Sequence, residues 1–146
     1  MSLVNNAQAL RQWLRQCPAL QPTNRFHVDY IAEEPTDYAL IATPSTIRYR
    51  ENVLGEHVPA DIQTINYIFA SREIYGADEA QNLANLEFYQ DVVQWVADQN
   101  DLRNFPRIEG GDVQAVRPTL TAYAAAPGVD TARYQIQIEI TYKINR

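Results

Sequence analysis

Hydrophobic and polar positions alternate most regularly near the C-terminus, over residues 134–144. Large apolar side chains occupy every second position, at Tyr134, Ile136, Ile138, Ile140, Tyr142 and Ile144. A period of two predicts a β-strand with one apolar face. We expect this face to pack under helices, because six large apolar side chains left in water would favour aggregation.

The opposite face of this strand is polar. It carries Gln135, Gln137, Glu139, Thr141 and Lys143. Side chains of this kind belong in contact with water, so we expect this face of the sheet to stay hydrated.

Two segments show the three-to-four-residue spacing of amphipathic helices. The first covers residues 3–16, with Ser2 placed as the N-cap and Pro18 as the stop. The second begins near Asp78, which is a favourable N-cap residue, and runs to about Gln99.

The second helix has an unusually broad apolar arc. One apolar stripe comprises Phe88, Val92 and Trp95, and a neighbouring stripe comprises Leu86, Tyr89, Val93 and Val96. Since a surface helix typically has an apolar arc of about 100° or somewhat more, we expect this helix to contact two partners. Either the first helix covers part of the arc within the domain, or Phe88, Val92 and Trp95 contact another subunit.

Several shorter segments are predicted to be strands. Phe26–Tyr30 and residues 38–43 are expected to form a hairpin, because a polar turn with Pro35 separates them. Further strands are predicted around Ile47 and Tyr49, along a face shared by Gln63, Ile65, Tyr67 and Phe69, and before a turn at Pro127-Gly128.

Two features of the sequence add detail to this prediction of strands, a proline within one strand and a long connection between two others. Pro118 cannot donate a ladder hydrogen bond, which places its strand at an edge or at a bulge. Residues 51–60, with Gly55 and Pro59, are expected to form a loop that is mobile in the isolated subunit and becomes ordered on assembly.

Together these elements predict a single α+β domain over residues 1–146. We expect an antiparallel sheet of about four to six strands, with a mixed sheet possible, and two principal helices packed on one face. With 146 residues and 46% hydrophobic content, the chain is long enough to bury a substantial core.

Charge and composition argue against two classes of binding partner, nucleic acid and membranes. Twelve basic and 18 acidic residues give a formal charge of −6, which disfavours non-specific binding to nucleic acid or anionic membranes. The chain shows neither a signal-peptide pattern nor an apolar run of about 20 residues, so we expect a protein with no membrane partner, made in the cytoplasm.

Candidate chemical groups are few, and none forms a recognisable site. His27 and Asp29 lack a third ligand at a usable spacing, and Cys17 continues the apolar stripe of the first helix. We therefore expect no catalytic residue, no cofactor and no metal. Arg48, Tyr49 and Arg50 interleave basic and aromatic side chains, but on an acidic protein they favour a subunit contact over sequence-specific binding of nucleic acid.

The order of the elements resembles one family, the small minor tail or tail-terminator (tail-completion) proteins of phages and prophages of Gram-positive bacteria. The resemblance covers nearly the whole chain. It depends most on the second helix, with Trp95-Val96-Ala97 and the ending Asn104-Phe105-Pro106, and on the start of the last strand at residues 133–136.

This resemblance implies a structural role in the virion tail and no enzymatic activity. Members of the family form closed homo-oligomeric rings, usually hexamers, that cap the tail tube and meet the head-completion proteins. The expected partners are thus other copies of the chain, the tail tube and the head-completion proteins. Within a ring, we favour the polar face of residues 135–143 as the channel lining, because a weakly charged surface lets DNA or a protein chain slide.

A different class of function also fits the residues. A small ligand-binding or enzymatic α+β domain would place a pocket between the helix over residues 78–99 and the sheet. Tyr67, Tyr89 and Tyr123 would then line this pocket and contact an aromatic or acyl ligand.

Overall fold

A computed structural model describes residues 3–22, 24–28, 37–43, 47–74, 76, 78–127 and 131–145. The chain forms two helices and seven strands over these residues, in the order α1 (Leu3–Leu14), β1 (Phe26–Val28), β2 (Tyr38–Ala42), β3 (Tyr49–Glu51), β4 (His57–Pro59), β5 (Ile62–Ile74), α2 (Glu79–Leu102), β6 (Gly111–Pro127) and β7 (Thr131–Ile144). The predicted α+β class is confirmed.

The main sheet contains five strands in the order β1-β2-β5-β7-β6. Three of its four pairings are antiparallel, and β1 and β2 are parallel. The mixed sheet allowed by the sequence is therefore the one observed. β3 and β4 pair with each other in a separate two-stranded sheet.

The predicted hairpin between residues 26–30 and 38–43 is wrong. Phe26 is in register with Tyr38 and Val28 with Leu40, so the two strands run in the same direction. For a parallel pairing, the chain must return from the end of β1 to a point beside the start of β1. This distance is about 10 Å because β1 has only three residues, and the nine residues before Tyr38 can span it. Of the turn predicted over residues 33–37, residues 33–36 lie outside the described residues.

The alternation along β7 places its apolar face in the core, as predicted. Five of the six predicted residues are buried, namely Tyr134, Ile136, Ile138, Ile140 and Tyr142, whereas Ile144 at the end of the strand is half-buried. Tyr67 and Phe69 of β5 lie opposite Ile138 and Ile136 on the same face. The intervening polar side chains of β7 are half-buried or exposed on the face of the sheet away from the helices.

Pro118 satisfies both of the options that the sequence allowed. Its strand β6 is an edge strand, and the register between β6 and β7 shifts between Pro118 and Leu120. The missing N–H of proline therefore interrupts no central ladder.

The second helix begins as predicted and extends three residues beyond Gln99. Asp78 caps α2, and its side chain accepts from the N–H groups of Ala80 and Gln81. The helix ends at Leu102, and its C-cap Arg103 adopts the left-handed conformation with a φ of 57°. The first helix is two residues shorter than predicted, and its expected cap, Ser2, lies outside the described residues.

The two helices contact each other on one face of the sheet. The rings of Trp13 in α1 and Trp95 in α2 lie 4.8 Å apart, and the Trp13 indole N–H donates to the main-chain oxygen of Asn104 at 2.8 Å. Leu10 and Leu14 of α1 are fully buried in the same core. The first helix therefore covers part of the broad apolar arc of α2.

Candidate subunit interface

Residues 47–60, here called the arm, form a hairpin beside the main sheet. Tyr49, Arg50 and Glu51 of β3 pair in antiparallel register with Pro59, Val58 and His57 of β4. The loop predicted over residues 51–60 thus contains strand residues on both sides of a turn, and its mobility before assembly stays a prediction. A local pattern of mixed polarity concealed two short strands that pair only with each other.

The tip of the arm is organised by one asparagine. Asn52 Oδ1 accepts from the N–H groups of Leu54 and Glu56, each at 2.9 Å, and its own N–H donates to the Glu56 carbonyl at 2.9 Å. Gly55 completes the turn with a φ of +80°, where other residues are strained. These bonds hold Val53 and Leu54 at the end of the hairpin.

The base of the arm is fixed to β5 by a buried glutamine. Gln63 Nε2 donates to the carbonyls of Arg48 at 2.8 Å and Ala60 at 2.9 Å, and Gln63 Oε1 accepts from the Arg48 N–H at 3.1 Å. This amide therefore acts as a short piece of strand between the arm and the sheet. Gln63 is a polar residue on a largely apolar face of β5, and its hydrogen bonds to the arm explain why a polar residue occupies this position.

The arm exposes large apolar side chains to solvent. Val53 is fully exposed, and Leu54 and Tyr49 are 78% and 59% exposed. Ile47 and Ile62, at the two ends of the arm, are also exposed. Exposed apolar side chains grouped in this way indicate a surface that contacts another macromolecule.

The predicted interface residues Arg48, Tyr49 and Arg50 all lie on the arm and are exposed. Arg50 is the middle residue of β3, and Arg48 directly precedes this strand. Neither side chain forms an ion pair within the part of the chain that the structure describes. The arm therefore combines an apolar tip with two available cations.

The other three predicted interface residues lie against the core. Val92 is fully buried and cannot contact a second copy without rearrangement of the subunit. Phe88 and Trp95 are half-buried, with Phe88 stacked on Tyr38 at 6.0 Å and Trp95 against Trp13. Much of this surface is thus already covered within the subunit.

The outer face of α2 also carries exposed apolar side chains, of which Leu86 belongs to the predicted second stripe and Leu83 to neither stripe. Leu83 and Leu86 are exposed and line a shallow hollow of about 170 Å³ together with Glu79 and Asn82. The helix contains five acidic residues and no Lys or Arg. A polar stripe along the same helix is also exposed, at Glu87, Asp91, Gln94 and Asp98.

One feature of the sequence marks both Leu83 and the arm tip as exposed apolar positions. In each case an apolar residue stands among polar neighbours, with Val53-Leu54 inside a turn and Leu83 on the polar side of a helical wheel. Such residues lie outside the periodic apolar stripe, so the fold does not require them to be apolar.

Two of the three tyrosines predicted to line a pocket lie in the core. Tyr89 is fully buried and Tyr67 is nearly so, while the side chain of Tyr123 lies outside the described residues. An open hollow of about 520 Å³ is found elsewhere, between the end of α2 and the start of β6, where Arg103 and Arg107 contribute to its wall.

Tyr89 belongs to a buried chain of polar groups. Its hydroxyl donates to the Tyr134 carbonyl at 3.0 Å and lies 2.5 Å from Ser71 Oγ, which in turn lies 2.8 Å from Glu73 Oε1. Burial raises the pKa of the Glu73 carboxyl, although its hydrogen bond with Ser71 lowers that pKa in part. Burial also raises the pKa of the Tyr89 hydroxyl well above its ordinary value.

This chain has more contacts than hydroxyl protons. Three oxygen–oxygen contacts join Tyr134, Tyr89, Ser71 and Glu73, but the two hydroxyl groups supply only two protons. While Glu73 is ionised, Ser71 donates to its carboxylate and Tyr89 donates to the Tyr134 carbonyl, so the contact between Ser71 and Tyr89 has a proton of its own only when Glu73 also carries one.

The remaining candidates from the sequence have ordinary surroundings. His27 Nε2 lies 3.2 Å from Asp37 Oδ2, and Asp29 lies outside the described residues. Cys17 is buried in the core, and burial raises the pKa of its thiol. Among the described residues there is no group of three or more side chains suited to hold a metal ion.

None of the helices that the structure describes is long and apolar enough to cross a membrane. A scan against protein-family models and a search of curated proteins find no match to this chain. The fold and its surfaces define an acidic α+β protein with a projecting apolar arm.

Proposed function

We propose that this chain is a structural subunit of a phage tail. In this role, copies of the chain form a closed ring that caps or completes the tail tube and joins it to the head-completion proteins. The layout of the elements, from α1 through the arm to the terminal strand, supports this role together with the resemblance of α2 and β7 to that family.

The arm is the observation that carries the proposal. A hairpin whose tip is fixed by Asn52 and whose base is fixed by Gln63 presents Val53 and Leu54 to solvent. Exposed apolar residues at the tip of a hairpin lower solubility, and a contact with another protein covers them. An assembly subunit has a use for such a projection.

The polar face of β7 is compatible with the same role. Gln135, Gln137 and Thr141 are half-buried on the face of the sheet away from the helices. A surface rich in uncharged polar groups does not bind phosphates strongly, which suits the wall of a channel through which DNA passes.

The test combines assembly in solution with assembly in the virion. We expect light scattering to give a molar mass several times 16.7 kDa, either for the chain alone or after addition of tail tubes. Electron microscopy should show rings with an axial channel. Inactivating the gene in the phage that encodes it should leave tails without attached heads. A chain that stays monomeric with tail tubes, and whose loss leaves virions intact, would contradict the proposal.

A further inference from the structure

We propose that the arm of one copy docks along the outer face of α2 of the next copy. This inference rests on the proposed function, since it specifies the contact from which the ring is built. The occupant of the α2 face is therefore a second copy of this chain, with its Val53 and Leu54 placed over Leu83 and Leu86.

The apolar groups of the two surfaces are complementary in shape and number. The arm tip is a convex end with two exposed apolar side chains, whereas Leu83 and Leu86 border a shallow hollow of about 170 Å³. A hollow of that size accommodates one or two aliphatic side chains and little more. Burial of these residues on docking removes apolar surface from water on both partners.

The charges of the two surfaces are also complementary. Arg48 and Arg50 are exposed at the start of β3, and Glu87 and Asp91 are exposed on α2. None of these four side chains forms an ion pair within the described residues. Because α2 contains no basic residue, it has no internal partners for its carboxylates.

The spacing of the groups agrees between the surfaces. Arg50 lies in β3 three positions before Val53, which lies in the turn at the arm tip, so their Cα atoms are at most about 10 Å apart. On α2, Glu87 and Asp91 follow Leu83 by about 6 and 12 Å at 1.5 Å per residue. With the arm tip over Leu83, the Arg50 side chain is therefore within reach of these carboxylates.

The contact joins two different surfaces, which determines the symmetry of the assembly. An arm-to-helix contact leaves one arm and one α2 face unused at the ends of any open chain of subunits. Such head-to-tail contacts close into a ring when the rotation permits. A closed ring is the form in which all arms and all α2 faces are occupied.

Disulfide trapping tests this contact directly. One full-length chain carries Leu54→Cys, and a second chain with an isotopic mass label carries Leu83→Cys. The native Cys17 is buried and stays in both chains. The matched control replaces Leu83→Cys by Leu102→Cys, which lies at the other end of α2 and is similarly exposed.

We expect the yield of the disulfide between positions 54 and 83 of two chains to exceed the yield of the disulfide between positions 54 and 102 by at least about tenfold. The reason is that docking gives the two thiols at positions 54 and 83 a high effective concentration. A ring in which both disulfides form equally, or in which 54–54 predominates, would overturn the docking contact and leave the ring itself standing. A monomer with no excess of the 54–83 product, alone or with tail tubes, would count against both proposals.

Charge reversal provides a second test that does not depend on cysteine chemistry. Arg48→Glu/Arg50→Glu and Glu87→Arg/Asp91→Arg should each weaken association by about tenfold or more, because attraction becomes repulsion. Combining all four changes in one chain should restore association. Arg25→Glu/Arg107→Glu is the control with an equal charge change at exposed sites away from the arm. Failure of the combined variant to recover, with the control still assembling, would overturn the contact.

Discussion

The side chain of Gln63 contacts both main-chain polar groups of Arg48, with Nε2 donating to its carbonyl at 2.8 Å and Oε1 accepting from its N–H at 3.1 Å. A side-chain amide has the same donor and acceptor groups as a peptide unit, so Gln63 satisfies Arg48 as a neighbouring strand would. The orientation of the arm depends on this pair.

The first prediction concerns Gln63→Leu. Loss of three hydrogen bonds should destabilise the arm by about 1–3 kcal/mol and leave the five-stranded sheet folded. Hydrogen exchange should accelerate at the amides of Asn52, Gly55 and Ala60, while the amides of β5 and β7 stay protected. Gln137→Leu, the same change on the other face of the sheet, is the control. Equal exchange in Gln63→Leu and the native chain would show that Gln63 does not fix the arm.

The second prediction concerns the tip. Asn52→Ala removes the acceptor for the N–H groups of Leu54 and Glu56, which should loosen the turn by about 1 kcal/mol. Asn52→Asp retains an acceptor oxygen at the same place and should behave like the native chain. We expect Asn52→Ala to weaken assembly, measured by light scattering over a concentration series, with no change in thermal unfolding. Equal assembly by the Ala and Asp variants would contradict an ordered tip.

The third prediction follows from the raised pKa of Glu73. A folded-state pKa above the unfolded value means that the folded chain binds the proton more tightly. The free energy of unfolding should therefore fall as pH rises from the unfolded pKa, near 4.5, to the folded pKa. Glu73→Gln supplies a permanent N–H donor to Ser71, so this variant should be the more stable chain at pH 7.

Urea unfolding of the native chain and of Glu73→Gln between pH 4 and pH 8 tests the direction of this pH dependence. The advantage of Glu73→Gln should shrink as the pH is lowered toward about 4.5, where the native carboxyl also carries its proton. Glu87→Gln removes the same charge at an exposed position and serves as the control. A pH-independent difference, or a native chain that is more stable at pH 7, would refute the role of the third proton.

The fourth prediction compares the two faces of β7. Ile138 is fully buried, so Ile138→Asp should reduce the free energy of unfolding by several kcal/mol, because it places an unpaired charge in the core. Gln135→Lys/Gln137→Lys should leave the fold and the ring intact and disturb the passage of DNA. Urea unfolding, electron microscopy and DNA delivery by assembled particles measure these three outcomes. An assembly with Gln135 and Gln137 inside a subunit contact would rule out the channel.

Local patterns in the sequence were sufficient for several parts of the fold. The two-residue period of β7 identified its buried face, and Asp78 marked the start of α2. Pro118 predicted either an edge strand or a bulge, and β6 has both. Each of these features depends on residues within a few positions of one another, where backbone geometry alone relates spacing to direction.

Other parts of the fold and the interface required the tertiary structure. The parallel pairing of β1 with β2, the covering of Trp95 by Trp13 and the anchoring of Arg48 by Gln63 join residues 12 to 82 positions apart. Local periodicity cannot specify which distant group satisfies a given polar atom or covers a given apolar stripe. The sequence by itself therefore determined which faces are apolar, and the tertiary structure decided which of them remain exposed at the arm and on α2.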